Sequence, residues 1–168
     1  MDLPFETSEY YDRQEMLFSQ LPSSSIVIIP TNERKTRSND VGYPFRPNSY
    51  MLYLCGWKED EGVFIAHNRN GALESKLYVP PRDTSKEIWE GIRIGVEGAE
   101  SWPVDTTSSV ENFESEITQM IGQFENVYAI LGISEELDKI CNDVEGLSDP
   151  RTFLDPMRRV KSKVEIKH

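Results

Sequence analysis

Apolar positions along the chain follow two regimes. Over residues 9–20, Tyr10, Met16, Leu17 and Phe18 recur at helical spacing, which predicts a helix with one buried face. Arg13, Gln14 and Glu15 are left to face water. Thr7-Ser8-Glu9 supplies a capping start and Leu21-Pro22-Ser23-Ser24-Ser25 a stop. Residues 26–29 are then four consecutive β-branched side chains closed by Pro30, the pattern of a strand buried on both faces. Residues 31–48 lose all periodicity. A loop of that length without its own structure is usually functional or disordered.

Strand patterns return at residues 49–54, 63–67 and 74–80, with Asn68-Arg69-Asn70-Gly71 predicting a tight hairpin turn between the last two. Pro80-Pro81 ends that run. Short helices follow over 84–91 and 95–100, then a brief strand over 102–106. A helix over 108–122 carries Phe113, Ile117, Met120 and Ile121 on one side; a strand over 127–131 and a helix over 133–145 complete the pattern. Hairpins come first and strand–helix units follow. The expected fold class is α/β: a mixed sheet flanked by helices, antiparallel early and parallel late.

Composition narrows the function classes. The 168 residues fit one domain. With 29 acidic and 18 basic side chains the formal charge is -11, which repels phosphate backbones and anionic membrane surfaces. Nucleic acid and membrane are therefore not expected partners. No run approaches the ~20 apolar residues of a membrane span, and the first residues do not have the pattern of a signal peptide. Cys55 and Cys141 belong to no ligand or redox motif, which fits a reducing compartment and a cytoplasmic location.

Catalytic chemistry is hard to find. The histidines are His67, in a predicted strand, and His168, at the last position. There is no HExxH pair, no nucleophile elbow and no phosphate-binding glycine loop; Gly91, Gly95 and Gly98 read as helix ends. Glu59-Asp60-Glu61 and Glu135-Glu136 read as solvated turns and helix starts. Taken alone, the residues describe an acidic α/β domain with no visible active site and no metal ligands.

Four segments add to this. They are Arg13-Gln14-Glu15 with Leu17 and Leu21-Pro22, and Thr36-Arg37-Ser38-Asn39-Asp40-Val41-Gly42-Tyr43-Pro44-Phe45-Arg46 with Asn48-Ser49 and Tyr53-Leu54-Cys55-Gly56-Trp57. The third is Tyr78-Val79-Pro80-Pro81-Arg82-Asp83 with Glu87-Ile88-Trp89-Glu90-Gly91 and Arg93-Ile94-Gly95, and the fourth Met157-Arg158-Arg159-Val160-Lys161-Ser162. Together they resemble the amino-terminal domain of Xaa-Pro aminopeptidases (aminopeptidase P) in the creatinase/prolidase group, over roughly residues 9–166. Pro47 and Cys55 depart from the family's usual Gln and Thr.

The resemblance implies a creatinase-like amino-terminal fold with a mixed, roughly six-stranded sheet flanked by helices. It implies a domain over 1–156 and, over 157–168, the start of a linker into a metallopeptidase domain. In the family that following domain holds a pair of metals, usually manganese, on two Asp, one His and two Glu, and removes the residue ahead of proline. No cofactor is expected in this chain itself. The resemblance also implies a homo-oligomer in which Asp40 and Trp89 reach a neighbouring subunit's peptide pocket. A carboxylate suits a peptide's free amine, and an indole offers a flat apolar wall. The plainer alternatives are that Asp40 caps its own loop and that Trp89 packs in the core. Arg46 lies between Phe45 and Pro47, and is expected to be a buried loop residue paired with a carboxylate. A stand-alone peptide- or protein-binding module of the same fold, without peptidase activity, is the competing reading of the whole.

Overall fold

The β-branched run at 26–29 lies at the centre of the molecule. It forms β1 (Ser25–Pro30), and all six residues are buried. The computed structural model describes residues 3–39, 41–69 and 71–167, the side chains of Lys86 and Glu90 excepted. Residues 36–42 form a small two-stranded hairpin, β2 (Thr36–Ser38) with β3 (Val41–Gly42). The main sheet adds β4 (Val63–His67), β5 (Glu74–Val79), β6 (Thr106–Ser109) and β7 (Asn126–Ala129), in the order β6-β5-β4-β1-β7.

β1 pairs antiparallel with β4 and parallel with β7, while β5 pairs antiparallel with β4 and parallel with β6. Four strands therefore run one way and β4 runs against them. The expected order of pairing, antiparallel early and parallel late, is the one observed. Alternation along the strands feeds two cores. Val27, Ile29, Phe64, Leu77, Val79 and Ile130 point to one face. Ile26, Ile28, Val63, Ile65, Tyr78 and Val127 point to the other.

Eight helices occur among the described residues. α1 (Thr7–Phe18), α2 (Ser49–Leu54), α4 (Gly95–Ala99) and α7 (Arg151–Arg159) cover the first face. α5 (Phe113–Ile121) and α6 (Glu135–Cys141) cover the second, with Phe113, Ile117 and Leu137 fully buried. α3 (Thr84–Glu90) and α8 (Lys163–Lys167) bury no residue fully among those described. Among the described residues no helix is long and apolar enough to cross a membrane.

Several expectations need correction. Residues 49–54 are α2, not a strand, which is why the main sheet has five strands rather than about six. Asn48 decides this: its side chain accepts the Tyr50 N–H at 2.8 Å and donates to the Pro30 carbonyl at 3.0 Å. The first bond caps a helix and the second ties it to the end of β1. The strand expected at 102–106 begins only at Thr106, because Trp102 and Val104 are buried in the first core instead. The helix expected from 108 starts with a 3-10 turn at Val110–Asn112, and the one from 133 stops at Cys141. α7 carries an internal Pro156 and was not anticipated. The turn at 68–71, of which Asn70 lies outside the described residues, belongs to a longer connection, since strand pairing stops at His67 and Glu74.

Burial on α1 also differs from expectation. Arg13 and Gln14 are buried, whereas Met16 is 52% exposed. α2 is short and ends with free carbonyls at Tyr53 and Leu54. Helix ends leave such groups without intrahelical partners, and burying them unpaired is costly. Arg13 Nη1 donates to the Tyr53 carbonyl and Gln14 Nε2 to the Leu54 carbonyl, both at 2.9 Å. Gln14 also donates to the Pro103 carbonyl at 2.9 Å. The Arg13 guanidinium stacks between Phe5, Tyr10 and Tyr53, 4.4–5.3 Å from their ring centres.

Complete burial pushes the Cys55 thiol up to about 12, and Cys141 is buried as well; neither cysteine is in a disulfide. Replacing Gln14 by Leu keeps the bulk but strips two buried carbonyls of their donor. Gln14→Leu should lower unfolding free energy by about 2–4 kcal/mol, read as a lower urea midpoint at unchanged slope.

Candidate functional site

Four parallel strands place their carboxyl ends along one edge of the sheet. In open α/β sheets that edge is where ligand crevices form. Here it collects residues 31–48 after β1, residues 80–94 with α3 after β5, the 3-10 turn after β6, and residues 130–134 after β7. The segment 57–62 enters antiparallel β4 from the same side.

Three open grooves cross this edge. One of about 430 Å³ lies between Lys35, Tyr43, Phe45, Arg46 and Ile133. A second of about 470 Å³ lies between Arg34, Asp60, Val110 and Glu136. A third of about 300 Å³ is lined by Pro81, Asp83, Glu87, Arg93 and Glu111.

α3 is built to stand clear of the body. Asp83 caps it by accepting the Ser85 N–H at 3.0 Å. Gly91 ends it at φ 86°, ψ 168°, a conformation that favours glycine. Arg82 holds Glu87 through two bonds of 2.7 and 2.9 Å, which keeps the Glu87 carboxyl below the ordinary glutamate range. On this support Ile88, Trp89 and Ile92 are 80%, 89% and 79% exposed. Trp89 is therefore not core packing. Three large apolar side chains left in water within five residues form the kind of patch that marks an interaction surface.

Asp40 lies outside the described residues. Arg46 is exposed, which corrects the expectation that it is buried and paired: no carboxylate partner is found for it among the described residues. The reason is that the loop runs over the surface and is held through its main chain. Asn32 donates to the Arg46 carbonyl at 2.9 Å, and the Tyr43 N–H to the Lys35 carbonyl at 2.8 Å. Arg46, Trp89 and the loop that contains position 40 thus belong to the same edge, but no contact brings Arg46 and Trp89 together.

The run at 59–61 is not a solvated turn. Asp60 is 3% exposed; it accepts a bond from Arg34 Nε and lies 3.3 Å from Arg93 Nη1. The Glu59 carboxylate accepts the Ile94 N–H at 3.2 Å. Burial pushes the Glu59 carboxyl up, against the pull of that N–H and of Arg93. Sequence reading missed this cluster because its partners lie 26 and 33–35 residues away. Glu135 and Glu136 do open α6, behind the Ser134 cap, as expected. His67 is half-buried against Phe124 at the far end of β4, and burial lowers its pKa. Among the described residues no three His, Cys, Asp or Glu side chains are placed to hold a metal ion.

Two measurements check these placements. Arg46→Ala should leave unfolding free energy within about 0.5 kcal/mol of the parent, as expected for an exposed side chain. Glu59 titrates above its unfolded value, so its contribution to stability is present at low pH and lost as pH rises through the folded pKa. Glu59→Gln imitates the neutral acid. In urea melts it should be at least as stable as the parent at pH 7, with the difference closing at pH 4.

Comparison with known proteins agrees with the geometry. The family model described as "Aminopeptidase P, N-terminal domain" matches residues 10–128. An Xaa-Pro aminopeptidase of Haemophilus influenzae is 28% identical over 164 residues, 95% of this chain and 38% of that protein. Intermediate cleaving peptidase 55 of Saccharomyces cerevisiae is 33% identical over 124 residues, 71% of this chain and 24% of that protein. Among solved structures, proline aminopeptidase P II from Yersinia pestis superposes with a TM-score of 0.88 at 28% identity, and aminopeptidase P of Escherichia coli in its low-pH form with 0.89 at 27%. Each match covers 97% of this chain and 41% of the other. The chain therefore spans about two-fifths or less of the length of these relatives. On the family match and the shared fold, the chain belongs to the aminopeptidase P N-terminal domain family.

Proposed function

We propose that this chain serves as the non-catalytic amino-terminal domain of an Xaa-Pro aminopeptidase, acting in oligomerisation and in substrate access. The observation that carries the reading is one of coverage. Nearly the whole chain, 97%, superposes on only 41% of the Escherichia coli enzyme, which leaves room for a separate catalytic domain. In this reading the manganese pair and the peptide-bond chemistry belong to that following domain, the chain's principal partner. Such a pair would activate a water and polarise the scissile carbonyl there.

The chain's own contribution is a surface. Trp89, with Ile88 and Ile92, offers an apolar wall to a neighbouring subunit and to the peptide held in its pocket. Asp40, in the adjacent loop, would meet the free amine of that peptide with a charge-assisted bond. Arg46 belongs to the same loop and is held there through its main-chain carbonyl. Residues 157–168 lead towards the following domain; α7 ends at Arg159, and Val160 and Ile166 beyond it are 77% and 73% exposed. The free, buried thiols suit a reducing, cytoplasmic setting. The net charge of -11 speaks against nucleic acid or an anionic membrane as partner.

Incubation of the isolated chain with an Xaa-Pro peptide and added manganese should give no turnover. Robust hydrolysis would overturn the non-catalytic assignment. Tight binding of that peptide by the isolated chain, measured by calorimetry, would favour a stand-alone binding module instead.

A further inference from the structure

We infer that Asp60 is a positioning residue that fastens together the two segments carrying the proposed surface, the 31–48 loop and the 80–95 arm with α3. The inference rests on the proposed function for what those segments do, but not for how they are tied.

The segment that carries Asp60 is itself fixed to the core. Trp57 is fully buried and packs edge-on against Trp102, with ring centres 5.4 Å apart. Gly62 leaves no room beside it: a Cβ there would come within 2.6 Å of Trp57 Nε1. The Thr31 N–H donates to the Gly62 carbonyl at 2.8 Å. Asp60 thus presents its carboxylate from a rigid base.

Its two oxygens are divided between the two segments. Oδ2 faces Arg34 of the loop, and Oδ1 faces Arg93 of the arm at 3.3 Å. One residue earlier, Glu59 accepts the Ile94 N–H, a second tie to the arm. Among the described residues, the remaining hydrogen bonds of residues 32–46 stay within the loop or its hairpin. Arg34 is 61% exposed along its side chain, so its pair with Asp60 adds little to global stability. Its effect is on where the loop sits. The second and third grooves meet here, sharing Glu61 and Val110. A shift of Asp60 would therefore move both walls together.

Hydrogen exchange on the chain, read peptide by peptide, tests this. Arg34→Gln should speed exchange in the β2–β3 hairpin by about tenfold, leave the arm and β1 unchanged, and leave the urea midpoint unchanged. Asp60→Asn should speed exchange in both the hairpin and the 91–99 region, and adding Arg34→Gln to it should change the hairpin no further. Parent-like exchange in either segment of Asp60→Asn, or a rise spread evenly over the sheet, would overturn the inference. Should Asp60→Asn fail to fold, unchanged hairpin exchange in Arg34→Gln overturns it equally. A failed peptide assay would count against the proposed function and leave this result standing.

Discussion

Everything in this domain is organised around a strand that has no solvent face. β1 is buried along its whole length and is flanked by one antiparallel and one parallel neighbour. A strand covered on both sides must deliver side chains to two cores, and Ile26 and Ile28 enter one while Val27 and Ile29 enter the other. Its parallel pairing with β7, and that of β5 with β6, bring four carboxyl ends to one edge. The candidate functional face follows from that arrangement, because the connections at that edge are free to be long.

Polar side chains then fix what apolar packing leaves loose. α2 has only six residues and could not hold its own end in a buried setting. Arg13 and Gln14, reaching across from α1, satisfy the carbonyls it leaves free. Asp60 does similar work at the opposite end of β4's entry segment, joining loop and arm through two guanidinium groups. In both places a charged or amide side chain is buried because it completes backbone or ionic partners, and its burial would be unfavourable otherwise.

The resulting molecule keeps its core closed and its interaction groups outside. Ile88, Trp89 and Ile92 stand on a short helix whose cap, ion pair and terminal glycine give it a defined shape without burying it. The proposed role of meeting another surface draws on this form. The sheet supplies the base, and the loop-bearing edge carries the proposed contact surface.

The sequence by itself determined the α/β class, the doubly buried β1, the β4–β5 pair, α3 and the family resemblance, because each rests on local periodicity or on contiguous motifs. It misread residues 49–54, where apolar content suits strand or helix alike and Asn48, bonded to Pro30, selects the helix. It sent Arg13, Gln14 and Asp60 to the solvent, since charge predicts exposure until a partner is known. It buried Arg46 for its apolar neighbours, although the loop is held by main-chain bonds. Those decisions belong to the tertiary structure alone: each depends on a group 14 to 89 residues away, and only folding brings such groups within hydrogen-bonding distance.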